Sequence, residues 1–93
     1  MFVRVIELDL VILDALSLKD KRQVLQGLIA RLRQRMNIAI AETKYQDQWQ
    51  RAGLGIAFIS NSRAHLDSIQ QELFNLVEGR FPVEIAKISV SDY

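Results

Sequence analysis

The chain reads as an α+β domain whose elements follow the order β-α-β-β-α-β. Three observations predict this. Apolar residues alternate or cluster with β-branched character over Phe2–Leu13, Ile38–Lys44, Gln50–Ser60 and Val83–Val90. Two intervening windows instead carry apolar residues at helical spacing, each entered through a serine or asparagine. The single proline, Pro82, stands where the second helix must give way to the last strand.

Each element has its own justification. In the first strand Ile6, Leu8, Leu10 and Ile12 share one face, while Val3, Val5, Val11 and Leu13 share the other with Glu7 and Asp9 between them. Ser17 opens the first helix, and Asp20 completes a capping-box-like S-x-x-D while complementing the helix dipole. Leu18, Leu25, Leu28, Ile29, Leu32 and Met36 form its apolar stripe, and Asn37 is its expected stop. Ile38 and Ile40 oppose Ala39, Ala41 and Thr43 in the second strand, and a polar segment around Tyr45-Gln46-Asp47-Gln48-Trp49 leads to the third. Asn61 or Ser62 caps the second helix, whose stripe is Leu66, Ile69, Leu73, Leu76 and Val77, with Gly79 as the expected terminator. This order is the ferredoxin-like split βαβ arrangement, a four-stranded antiparallel sheet with two helices on one face.

The 93 residues make one domain with a single core. There is no cysteine, so disulfides and thiolate metal sites are excluded. The apolar N-terminus is interrupted by Arg4, Glu7 and Asp9, too short for a membrane span and without a cleavage site, which predicts a cytoplasmic protein. No glycine-rich phosphate loop, H-x-x-x-H, G-x-S-x-G or carboxylate cluster of metal spacing occurs. The lone His65 lacks a companion at motif spacing, so the reading is non-enzymatic, with no cofactor or metal.

Charge gives the clearest functional signal. Ser17–Met36 carries Lys19, Lys21, Arg22, Arg31, Arg33 and Arg35 against Asp20, a net +5 in a chain of net +1. At 100° per residue Lys19, Arg22 and Arg33 fall on one flank, Arg31 and Arg35 on the other. Such flanks suit an anionic partner such as RNA; they also suit solvated residues whose stems cover the apolar stripe. Lys21 falls inside the apolar arc and either snorkels outward or meets a buried acid, with Glu7, Asp9, Asp14 and Glu42 as candidates.

The sheet face away from the helices is the second candidate surface. In the third strand Leu54, Ile56 and Phe58 alternate with Gly53, Gly55 and Ala57, so the large set meets the helices and the small set faces out beside Ala39 and Ala41. Glycines inside a strand mark either close approach of a partner or a bulge. The first reading makes this face the seat of a homodimer or small ligand. Phe58 shares the core parity, which argues against base stacking on the sheet. In the hairpin connection Asp47, Trp49 and Arg51 offer a contact site, with Trp49 either exposed or folded over the sheet edge.

Two stretches go further. Ser17-Leu18-Lys19-Asp20-Lys21-Arg22 is similar to the S-L-K-x-K-R opening of the YlxP-like family of small bacterial proteins. Ala41-Glu42, Gln46-Asp47-Gln48-Trp49-Gln50-Arg51-Ala52, Leu54-Gly55 and Ser60-Asn61 resemble that family's central signature. The chain departs at Lys44 and Tyr45, where members often carry an acid and a histidine, so no role of that histidine carries over. The resemblance implies a ferredoxin-like fold and, from a gene that in many bacteria lies among translation genes, a partner in ribosomal RNA or the small subunit.

Overall fold

A computed structural model describes residues 1–93. The elements are β1 (Phe2–Ile12), α1 (Leu18–Arg35), β2 (Ala39–Lys44), β3 (Arg51–Ser60), α2 (Arg63–Arg80) and β4 (Val83–Asp92). The sheet order is β2-β3-β1-β4, antiparallel throughout, which is the ferredoxin-like arrangement. The register pairs Ile6 with Ile56 and Leu8 with Leu54, so the large side chains of both central strands stack on the helix side. There they close over Leu25, Leu28 and Leu32 of α1 and Leu66, Leu73 and Val77 of α2, all buried. Phe58 lies in this core, as its parity requires.

The caps are formed as expected. Ser17 Oγ accepts from Asp20 N at 3.0 Å, and Ser62 Oγ accepts from His65 N at 3.4 Å. Asp20 Oδ2 accepts from Leu16 N at 3.1 Å, which folds the β1–α1 connection onto the helix start.

Two boundaries differ from the sequence reading. Gly79 does not terminate α2: the helix runs through it to Arg80, and no glycine adopts positive φ. The stop is Pro82, which drives Phe81 out of the helical region to φ −118°, ψ 149°. A methyl at residue 79 would meet open space. Gly79→Ala is therefore expected to raise stability by roughly 0.5–1 kcal/mol in chemical denaturation. β4 also continues past Val90 to Asp92, because Tyr93 still exchanges both backbone hydrogen bonds with Val3, at 2.9 and 2.8 Å.

The glycines of β3 have an internal explanation. β2 bulges between Glu42 and Lys44, and the bulge lays Thr43 and Lys44 against β3. A Cβ at residue 53 would lie 2.7 Å from Lys44 Cβ and 3.2 Å from Lys44 N; one at residue 55 would lie 2.9 Å from Thr43 Cγ2. Gly53→Ala must displace backbone and is expected to cost about 1–3 kcal/mol in the same denaturation assay, opposite in sign to Gly79→Ala.

Candidate functional site

Helix α1 buries Lys21, Leu25, Leu28 and Leu32, which fixes where its basic flanks point. Arg31 and Arg35 face α2 across a groove of about 700 Å³, and Arg80 enters the same groove from α2. Ser68, Gln71, Glu72 and Asn75 supply its remaining polar lining. Three guanidiniums thus meet one carboxylate. Glu72 pairs with Arg35 at 3.1 Å, while Arg31 Nε is shielded from solvent with no hydrogen-bond partner. Two guanidiniums without an ion-pair partner, Arg31 and Arg80, beside a third that is paired, make an arrangement suited to a phosphate.

The other flank is divided. Arg33 Nη2 donates to the Ile40 carbonyl at 3.0 Å, so it partly serves to cover the β2 edge. Lys19 and Arg22 are exposed and form no ion pair. The five cations of the sequence reading therefore form two separate surfaces.

Lys21 meets Glu42. Its Nζ, 1% exposed, lies 2.9 Å from Glu42 Oε2 and donates its aligned hydrogen bond to the Tyr45 carbonyl. Tyr45 has φ 62°, a left-handed conformation unfavourable for an aromatic residue, which this bond and that from Gln48 N help to hold. Gln50 Nε2 reaches back to the Ala15 carbonyl at 3.4 Å. The two signature stretches thus come together at one end of the sheet. The loop they anchor presents Asp47 and Trp49 to solvent, with the tryptophan half exposed at 51%. Arg51 turns away from that loop's tip: it stacks on Tyr45, 4.2 Å from the ring centroid, and lies 3.7 Å from Asp9.

The open sheet face is more charged than its small residues suggest. Gly53 is buried beneath Lys44, and Glu7, Asp9, Lys44 and Lys87 surround a shallow depression with Ser89. Gly53 and Gly55 accommodate the chain's own β2, so they supply no evidence of a partner on this face.

Two features escaped the sequence reading. With Gly79 as the expected terminator of α2, Arg80 falls outside the helical pattern and on no helical face. Arg4 lies on the helix side with Ile6 and Leu8, a place that period two alone implies. It is buried, donating to Asp92 at 2.7 and 2.8 Å, to Asp67 at 2.7 Å and to Gln70 at 3.1 Å. The Arg4 guanidinium, chiefly by hydrogen bonding, holds the Asp92 carboxyl below the usual carboxylate range. A depressed folded-state pKa contributes stability that is complete above the unfolded value and lost as pH falls through the folded one. The stability gap between wild type and Asp92→Asn should therefore be full at neutral pH and close in acid, below about pH 4. Denaturation at pH 7 and pH 3 checks it.

The solved structures include a de novo designed protein with a ferredoxin fold. It superposes with a TM-score of 0.58 over 99% of this chain and 85% of its own, at 16% identity, a likeness of fold alone. Among curated proteins, the uncharacterized protein YlxP of Bacillus subtilis (strain 168) is 40% identical over 76 residues, 82% of each chain. Residues 3–90 match the family described as protein of unknown function (DUF503). The motif spacing from Ser17 to Asn61, the fold and these matches agree, and the chain belongs to the DUF503 family of YlxP-like proteins.

Proposed function

We infer that this protein is a non-enzymatic RNA-binding accessory factor that holds phosphates in the groove between α1 and α2. The observation carrying this reading is the convergence of Arg31, Arg35 and Arg80 on a groove with one carboxylate. Arginine forks match phosphate oxygens, and the amides of Gln71 and Asn75 suit sugar hydroxyls. Lys19 and Arg22, on the opposite flank of α1, add a second and outer positive surface. The exposed Trp49 lies near the other end of α1, about 15–20 Å away at 1.5 Å per residue, and offers a ring on which an unpaired base can stack. The translation setting implied by the family resemblance favours ribosomal RNA among RNAs.

The test is a titration of labelled single-stranded, duplex and ribosomal RNA across a salt series. Three phosphate contacts predict a log–log slope of about −2 on single strands. No association at low salt, or binding indifferent to salt, overturns the reading.

A further inference from the structure

We propose that the free edge of β4 is the surface through which two copies of this chain associate, antiparallel about a two-fold axis, into one continuous eight-stranded sheet. The argument starts from the two sheet edges, which differ in how they are closed. β2 is six residues long, is bulged at Thr43, and has its Ile40 carbonyl occupied by Arg33. β4 is ten residues long and has no such cover.

The alternation of an antiparallel ladder says which β4 groups are idle. Tyr93 exchanges hydrogen bonds with Val3, so Ser91, Ser89 and Lys87 likewise face β1. The N–H and C=O groups of Ile88 and Val90 therefore point to the open edge. The side chains of these same residues lie on the helix side, opposite Leu8 and Ile6, yet remain 44% and 43% exposed because no helix covers them. Apolar side chains and unpaired backbone groups thus coincide along the segment beyond the Ala86 bulge, where nothing blunts the edge.

Charge selects the occupant. Arg63, at the start of α2, lies over the Phe2 ring, 5.0 Å from its centroid, at the end of the sheet where β4 finishes, and its charge helps to lower the Asp92 pKa. Glu78, near the end of α2, lines a depression with Val83, Glu84 and Ile85 of β4. None of Arg63, Glu78 and Glu84 has an ion-pair partner within the chain. An antiparallel second copy brings the Arg63 end of one α2 to the Glu78 end of the other, twice over. In the register that sets Ile88 of one copy opposite Val90 of the other, two narrow pairs exchange about four hydrogen bonds. A face-to-face dimer would instead bury Glu7, Asp9, Lys44 and Lys87. The edge pairing leaves both arginine grooves open on one side of the extended sheet, so, on the reading above, one RNA could engage two grooves with a gain in avidity.

Sedimentation equilibrium of the full chain, without RNA, tests assembly separately from RNA binding. The expected result is a species of twice the 10.7 kDa chain mass, with the Ile88 and Val90 amides protected from hydrogen exchange. Ile88→Lys with Val90→Lys, at sites already open to solvent, should give a folded monomer of unchanged circular dichroism. Arg63→Glu should weaken the dimer at least tenfold, and adding Glu78→Arg should restore it. Ile59→Lys, on the open face, should leave it intact. A wild-type monomer at every concentration overturns the proposal. So does a dimer that survives the β4 lysines, or one that Ile59→Lys abolishes.

Discussion

Lys21→Ala should lower stability by about 3 kcal/mol, a fall in melting temperature on the order of 15 °C for a domain of this size. Lys21 is 1% exposed and its charge is met by Glu42 and by the Tyr45 carbonyl. Truncation leaves both acceptors without their cation and empties the space of a four-carbon stem. The loss sits at the lower end of that for a broken buried pair, because the Glu42 side chain is 24% exposed and water can reach it. Lys21→Met keeps the stem and separates packing from charge. Pairing it with Glu42→Gln should recover part of the loss, since the uncompensated carboxylate is gone. Thermal melts of the four proteins give the coupling directly. Additive effects would show that Lys21 and Glu42 contribute independently. The same substitution should free the loop behind Tyr45, raising hydrogen exchange through Gln46–Gln50 in conditions where the core stays protected.

This pair also shows how far sequence reasoning reaches. Lys21 falls in the apolar arc of α1 by helical geometry, and a lysine there needs an acid or an exit. Which acid was not legible, because Glu42 comes within reach only once β2 pairs along the edge of β3 away from β1 and α1 packs above it. Elements and face assignments followed from period: Leu54, Ile56 and Phe58 went inward, and Leu25, Leu28, Ile29, Leu32 and Met36 of α1 were readable from 3.6-residue spacing, whereas Val24 packs on the core in place of the expected Leu18. Positions whose role depends on two distant segments were not. Gly53 and Gly55 showed that something lies close to β3, but only the β2 bulge shows it to be Lys44 and Thr43. A helical wheel already separates the five cations of α1 into two flanks. It cannot say that one flank faces a second helix bearing Arg80 while the other spends Arg33 on a strand edge.

Removing charge from the groove separates those flanks by function. Arg31→Gln with Arg80→Gln should weaken RNA binding about 100-fold or more, since each lost charge-assisted contact is worth roughly 1.5–3 kcal/mol. The salt slope should move toward zero as phosphate contacts disappear, by about 0.7 for each on single strands. Both side chains are at least partly exposed and neither belongs to an ion pair, so the melting temperature should barely change. Arg35 is unsuitable for this purpose because its removal also releases Glu72. That carboxylate gives a test of opposite sign. Glu72→Gln removes the groove's one negative charge and frees Arg35, so RNA should bind several-fold more tightly with a steeper salt dependence. A merely solvated groove predicts no change from either variant. Lys19→Glu with Arg22→Glu completes the comparison: on an extended strand it should reduce affinity less than the groove pair. If it instead abolishes binding while the groove variants do not, the outer flank carries the RNA and the groove is a structural seam between the helices.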